Sequence, residues 1–225
     1  MKILVLGGTG KLGRLLCNRL KKRDIDFIAP TRRQCNLLDL NESYFKGVDL
    51  VIHSAGSVNT LEAENNPDEA IEVNVQGTSN VVKKCRELDL RLIFISSEYV
   101  FAGDNIPYTT SSLPNPKNIY GVTKACGELL TKTLNNYVIV RAPFIRETIF
   151  NYDKAFSDQY TCRQYVHEIL DDIIDVSIGT HIGIVHIVGK YQSVYELALK
   201  TKQDVTPINV PNKMRSILPL YLNLK

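Results

Sequence analysis

Met1-Lys-Ile-Leu-Val-Leu-Gly-Gly-Thr-Gly-Lys-Leu-Gly13 opens the chain and decides its fold. Ile3–Leu6 is a short apolar run that reads as a buried strand and breaks at Gly7. Leu12, Leu15, Leu16 and Leu20 then recur at helical spacing. Between strand and helix, Gly7, Gly10 and Gly13 stand as G-x-x-G-x-x-G. One glycine allows a tight turn, one lets backbone approach a pyrophosphate, and one lets helix and strand pack closely. The free amides and the dipole of the helix N-terminus then face the phosphates. A glycine trio alone marks many turns, but a strand before it and a helix after it make this one a dinucleotide loop. The contacts expected from it are Gly7, Thr9, Gly10, Lys11, Leu12 and Gly13.

Outward from the loop, strand and helix alternate. Asp26–Ala29, Asp49–His53, Arg91–Ser96 and Tyr137–Arg141 read as strands, with Gly183–Val188 as the last. The stretches 11–23, 68–88, 119–134, 167–178 and 194–200 read as helices. Near-continuous apolar strands belong in a parallel sheet covered on both faces. The expected fold is therefore α/β, a doubly wound parallel sheet with ligands at the carboxyl ends of its strands. A length of 225 residues fits one domain with a small appended lobe. The nucleotide-binding part is expected over 1–145. A lobe over 146–225 interleaves with the last strand and helices of that part.

Composition narrows the partners. The formal charge is +3, and Lys21-Lys22-Arg23 reads as a solvated helix end, so nucleic acid is not an expected ligand. Five cysteines (Cys17, Cys35, Cys85, Cys126, Cys162) without C-x-x-C spacing fit a reducing cytosol better than a disulfide framework or a zinc site. His181 and His186 lack metal-ligand spacing, and no metal is expected. No apolar stretch approaches the roughly 20 residues of a membrane span, so a cytoplasmic protein without membrane contact is expected.

Two further segments carry chemistry. After the second strand comes Ala29-Pro-Thr-Arg-Arg33, with no acid to bind a ribose 2′-hydroxyl. Thr31, Arg32 and Arg33 can cradle a 2′-phosphate, which favours NADP and leaves NAD as the alternative. The plainer reading is two solvated arginines on a loop. Tyr120-Gly-Val-Thr-Lys124 sets a phenol and an ammonium on one helix face. A nearby cation favours the phenolate and brings tyrosine toward the working range of a general acid or base. Standing alone, such a pair occurs by chance in many helices.

Further motifs follow in order: Val51-Ile-His-Ser-Ala-Gly56, Asn74-Val-Gln-Gly-Thr78, Ile95-Ser-Ser-Glu-Tyr-Val-Phe-Ala-Gly103, then Pro107-Tyr108, Pro114, Pro116 and Asn118-Ile-Tyr-Gly-Val-Thr-Lys124. With the glycine loop they resemble the extended short-chain dehydrogenase/reductase superfamily, from Met1 to about Phe144. Within it the chain is most similar to the dTDP-4-dehydrorhamnose reductases and the related regulatory β subunit of methionine adenosyltransferase.

The resemblance implies roles position by position. Ser97 polarises the substrate carbonyl, Tyr120 donates the proton, and Lys124 tunes Tyr120 and holds the nicotinamide ribose. Glu98 stands where these reductases usually carry Asp, to assist proton transfer or orient the sugar. Ser54, Ala55, Gly56, Asn74 and Ser96 line the cofactor, Asn36 and Leu37 flank adenine, and Pro143 shapes the backbone against nicotinamide. Ser97, Glu98, Tyr99 and Val100 form the substrate side. Arg163, within Gln159–Glu168, is implied to meet a sugar-nucleotide diphosphate with its forked guanidinium. For Arg141 a structural salt bridge and a ligand contact both stay open; His53 and His167 read as core or helix-start residues.

The resemblance further implies an NADPH-dependent reductase of a nucleotide-linked 4-keto-6-deoxy sugar, with a shortened C-terminal substrate lobe. Two alternatives remain. One is a nucleotide-sugar epimerase or dehydratase with tightly held NAD. The other is a non-catalytic NADP-binding subunit with a protein partner. A homodimer is compatible with any of these.

Overall fold

A computed structural model describes residues 1–145 and 147–225, without the side chain of Asn105. Its organising strand is Lys2–Leu6. Successive side chains of a strand point to opposite faces, so an all-apolar strand is buried only where both faces are covered. Ile3 and Val5 pack with Leu12, Leu16 and Leu20 of the helix Lys11–Lys22 and with Ile173 and Ile174 of the helix Leu170–Ile178. Leu4 and Leu6 pack on the other face with Val81, Val82 and Cys85 of the helix Gly77–Glu87.

Six parallel strands lie in the order Gly183–His186, Tyr137–Arg141, Arg91–Ile95, Leu50–His53, Lys2–Leu6, Asp26–Ile28. This is the doubly wound α/β sheet expected. The chain steps outward from Lys2–Leu6 to Asp26–Ile28, then crosses back to Leu50–His53 on the other side. A crevice opens where the winding direction reverses, at the carboxyl ends of Lys2–Leu6 and Leu50–His53.

Several elements are shorter than their sequence pattern. Ala29 and Ser96 lie past the ends of their strands, as do Ile187 and Val188 past the last strand. The expected helix 68–88 is Pro67–Ile71 and Gly77–Glu87 joined by a π turn, Glu72–Gln76. Such turns widen a helix locally and recur at functional sites.

The second sheet has no counterpart in the sequence reading. Its four strands are Gln192–Ser193, Tyr160–Thr161, Tyr221–Leu224 and Asp104–Tyr108, in that order. Tyr221–Leu224 runs parallel to Asp104–Tyr108, so the end of the chain braces the connection between Ser97 and Tyr120. Two of these strands have only two residues and show no measurable alternation, and all four pair with segments remote in sequence. Among the described residues, no helix is long and apolar enough to cross a membrane.

Candidate active site

The glycine loop sits at the mouth of the crevice. Gly7 has φ +88°, a left-handed conformation that a side chain disfavours, and its carbonyl accepts from Gly10 N at 2.9 Å. A Cβ on Gly13 would lie 2.1 Å from that same carbonyl oxygen, so the helix can approach the loop only without one. Gly10 precedes the first turn of Lys11–Lys22, and no side chain caps that turn. Its amides are left for a ligand. Gly7, Gly10, Lys11, Leu12 and Gly13 line a cleft of about 510 Å³. Lys11 is ion-paired with Glu147 across its edge.

A second cavity of about 320 Å³ adjoins the first through Gly7, Gly10, Ser54, Ala55 and Gly56. Thr9, Arg32, Asn36 and Leu37 line it. Leu37 is held there by Gly77, where a Cβ would come within 2.8 Å of Leu37 Cβ. Thr31 and Arg33 do not line it. Thr31 turns instead to Gln34, whose Oε1 accepts from Thr31 N and Oγ1, both at 2.9 Å. One acid, Glu69, does reach this cavity. It comes from the helix Pro67–Ile71, so the end of the second strand gives no sign of it.

Asn74 lies in the π turn and is buried. Its Oδ1 accepts from Ser57 N at 2.7 Å, while Nδ2 donates to Ser57 O at 2.8 Å and Thr123 Oγ1 at 2.9 Å. It thereby ties the loop after Leu50–His53 to the helix of Tyr120 and Lys124, while still lining the cleft. Ser57, Val58 and Thr60 line the cleft too, as do Phe144 and Ile145. All five lie outside the quoted motifs.

Asn118 caps the helix Ile119–Thr131, its Oδ1 accepting from Gly121 N at 2.7 Å. Gly121 lets this helix press on the turn Glu98–Val100: a Cβ would stand 2.1 Å from Tyr99 O. The Tyr99 and Tyr120 rings consequently meet edge to face at 6.2 Å between centroids. Lys124 Nζ donates to Ile95 O at 2.6 Å and lies 4.2 Å over the Phe94 ring. Burial lowers the Lys124 pKa to about 8, against an opposing pull from Glu128. Tyr120, Lys124 and Ser97 all open onto the cleft of the glycine loop, with Ser96 and Pro143. Ser97 Oγ accepts from Tyr99 N at 3.2 Å.

Three expected contacts are displaced or engaged. Val100 is fully buried with Phe101, Tyr108 and Leu222, so its side chain belongs to a core cluster and not to the substrate side. Ser96 Oγ donates to Glu128 Oε1 at 2.6 Å. Arg163 reaches the cleft with its fork partly occupied: Nε donates to Glu98 Oε1 at 2.5 Å and Nη2 to Tyr99 OH at 3.0 Å. Arg141 is fully buried against Glu128, which makes it structural.

His53 and His167 do not line the cleft of the glycine loop. His53 is buried, with Nε2 3.0 Å from Thr78 Oγ1, and burial followed by the charge of Lys124 lowers its pKa to about 3. His167 is exposed in the short turn before Leu170–Ile178.

Comparison with known proteins agrees with this architecture. The sequence pattern of the family "RmlD substrate binding domain" matches residues 1–167. Methionine adenosyltransferase 2 subunit beta of Bos taurus is 35% identical over 138 residues, covering 56% of this chain and 41% of that protein. The dTDP-4-dehydrorhamnose reductase of Mycolicibacterium smegmatis is 34% identical over 131 residues, covering 56% and 40%. The chain thus matches about two-fifths of the length of these relatives. A solved dTDP-4-dehydrorhamnose reductase from Clostridium acetobutylicum superposes with a TM-score of 0.89 at 25% identity, covering 100% of this chain and 90% of that one.

Proposed function

This chain belongs to the RmlD substrate binding domain family, and on that premise we propose that it reduces a keto group on a nucleotide-linked 4-keto-6-deoxy sugar, with NADPH preferred over NADH. One observation carries the reading. Tyr120, Lys124 and Ser97 open onto the same cleft as the glycine loop, although the sequence separates them from it widely.

The residues fit a dinucleotide. The close approach of Gly13 to Gly7 and the uncapped first turn of Lys11–Lys22 leave room and amides for a pyrophosphate. The adjoining cavity lined by Asn36, Leu37 and Arg32 suits an adenosine carrying a 2′-phosphate. When bound, the nicotinamide nucleotide supplies the hydride.

The chain's own groups do the rest. Ser97 would hold the carbonyl oxygen and steady negative charge as it develops there. Tyr120 would give that oxygen its proton. Lys124, anchored on Ile95 O, would bias the phenol toward proton release and hold the ribose beside it.

The test is NADPH oxidation with dTDP- and UDP-linked 4-keto-6-deoxy sugars, run on the wild type and Tyr120→Phe. Turnover of at least one substrate is expected, with a loss of about 10²- to 10⁴-fold in the variant. Full activity in the variant removes Tyr120 from its role. The identity with the adenosyltransferase subunits favours a second reading, a non-catalytic nucleotide-binding subunit. Tight nucleotide binding with no turnover of either sugar would select it.

A further inference from the structure

Glu98 is 2% exposed, and a carboxylate so placed has to be met by charge and hydrogen bonds. Both of its oxygens are. Oε1 accepts from Arg163 Nε at 2.5 Å, and Oε2 accepts from Thr161 Oγ1 at 2.7 Å. The same threonine oxygen accepts from Arg163 N at 3.2 Å. Tyr99 adds a third hold: its hydroxyl accepts from Arg163 Nη2 at 3.0 Å, and its ring centre lies 5.4 Å from the guanidinium carbon. Arg163 Nη1 has no partner among the described residues, and the side chain, 18% exposed, forms part of the cleft wall.

We propose that Glu98 is a positioning residue, which with Thr161 and Tyr99 holds Arg163 so that its Nη1 edge meets an anionic oxygen of the substrate. The proposal rests on the reductase reading only for the kind of anion, a phosphoryl oxygen of a nucleoside diphosphate. An arginine is normally among the most freely rotating side chains, and ordering it costs binding free energy. Here the ordering is done before the substrate arrives. Nε and one Nη2 proton already serve Glu98 and Tyr99, which leaves both Nη1 protons and the other Nη2 proton for the substrate. Both carboxylate oxygens face protein donors, so Glu98 is placed to fix Arg163 and not to pass a proton. The brace also joins the two parts of the molecule. Glu98 follows a strand of the main sheet, while Thr161 belongs to the second sheet.

The experiment measures dTDP binding by calorimetry, with no sugar and no reduction involved, beside steady-state NADPH oxidation. Glu98→Gln and Thr161→Val should each weaken dTDP about tenfold, the worth of one charged hydrogen bond. Both should raise KM, keep kcat within about threefold and leave the pH profile in place. Arg163→Ala should lose dTDP affinity to a greater extent, and adding Glu98→Gln to it should cost nothing more. A fall in kcat with a displaced pH limb and unchanged dTDP affinity would make Glu98 a proton carrier and overturn the proposal. Additive losses in the double variant would overturn it as well, and so would absence of dTDP binding to the wild type. If no keto sugar is reduced but the dTDP cycle closes as stated, the reductase reading falls and the brace stands. Should Glu98→Gln fail to fold, Thr161→Val and Tyr99→Phe read the same brace without touching the charge.

Discussion

Glu128 and Arg141 form a two-point ion pair sealed from water. Both side chains are 0% exposed, and Arg141 Nε and Nη2 donate to Glu128 Oε1 and Oε2 at 2.9 and 2.7 Å. Oε1 also accepts from Ser96, and the guanidinium lies 4.8 Å over the Phe101 ring. Glu128 stands one helical turn after Lys124, so the pair pins the Lys124 helix to the strands that end at Arg141 and Ile95. Desolvation offsets much of the attraction in such a pair, so what it chiefly secures is relative position.

Breaking the pair from one side should be costly. Glu128→Leu or Arg141→Met leaves a lone buried charge and should lower the unfolding free energy by about 3–5 kcal/mol. The double variant Glu128→Leu/Arg141→Met should lose far less than the sum. Urea unfolding of the three variants measures this, and simple additivity would contradict it.

His53 should make stability fall in mild acid. Its folded pKa is about 3 while the unfolded chain takes a proton below about 6.5, so the unfolded state binds more protons between these values. The His53 contribution is whole above about pH 6.5 and is lost progressively toward pH 3, at no more than about 1.4 kcal/mol per pH unit. Comparing wild type with His53→Gln by urea unfolding at pH 7.5 and 5 isolates it. The variant should show the shallower decline, and parallel declines would reject the assignment.

Gly13→Ala should abolish nucleotide binding before it abolishes folding. The added methyl would lie 2.1 Å from Gly7 O, which is backbone and cannot rotate away, so the loop must shift. NADPH should no longer raise the melting temperature, although the variant retains its helical circular dichroism. An undiminished thermal shift would place the pyrophosphate elsewhere.

Arg32 and Arg33 should separate. Arg32 lines the cavity beside Asn36 and Leu37 whereas Arg33 does not. Arg32→Ala should weaken NADPH by about tenfold to a hundredfold with little effect on NADH, the range for a charged hydrogen bond. Arg33→Ala should leave both affinities near wild type. Equal losses of NADPH and NADH in Arg32→Ala would dismiss the 2′-phosphate contact, and Glu69 then becomes the group to test against NADH.

The amino-acid sequence alone determined the alternation of buried strands and helices, the glycine loop and the Tyr120–Lys124 pair. Each rests on residues a few positions apart, whose relation the pleat of a strand or the turn of a helix already dictates. Tertiary structure alone decided that Arg32 and not Arg33 reaches a cavity, that Val100 packs inward, and that Asp104–Tyr108 pairs with Tyr221–Leu224. It alone brought Glu98 to Arg163, 65 residues further along the chain. Local backbone geometry carries no record of such partners: which distant segments meet depends on how the whole chain buries its apolar faces, and the polar side chains pair with whatever that packing brings within reach.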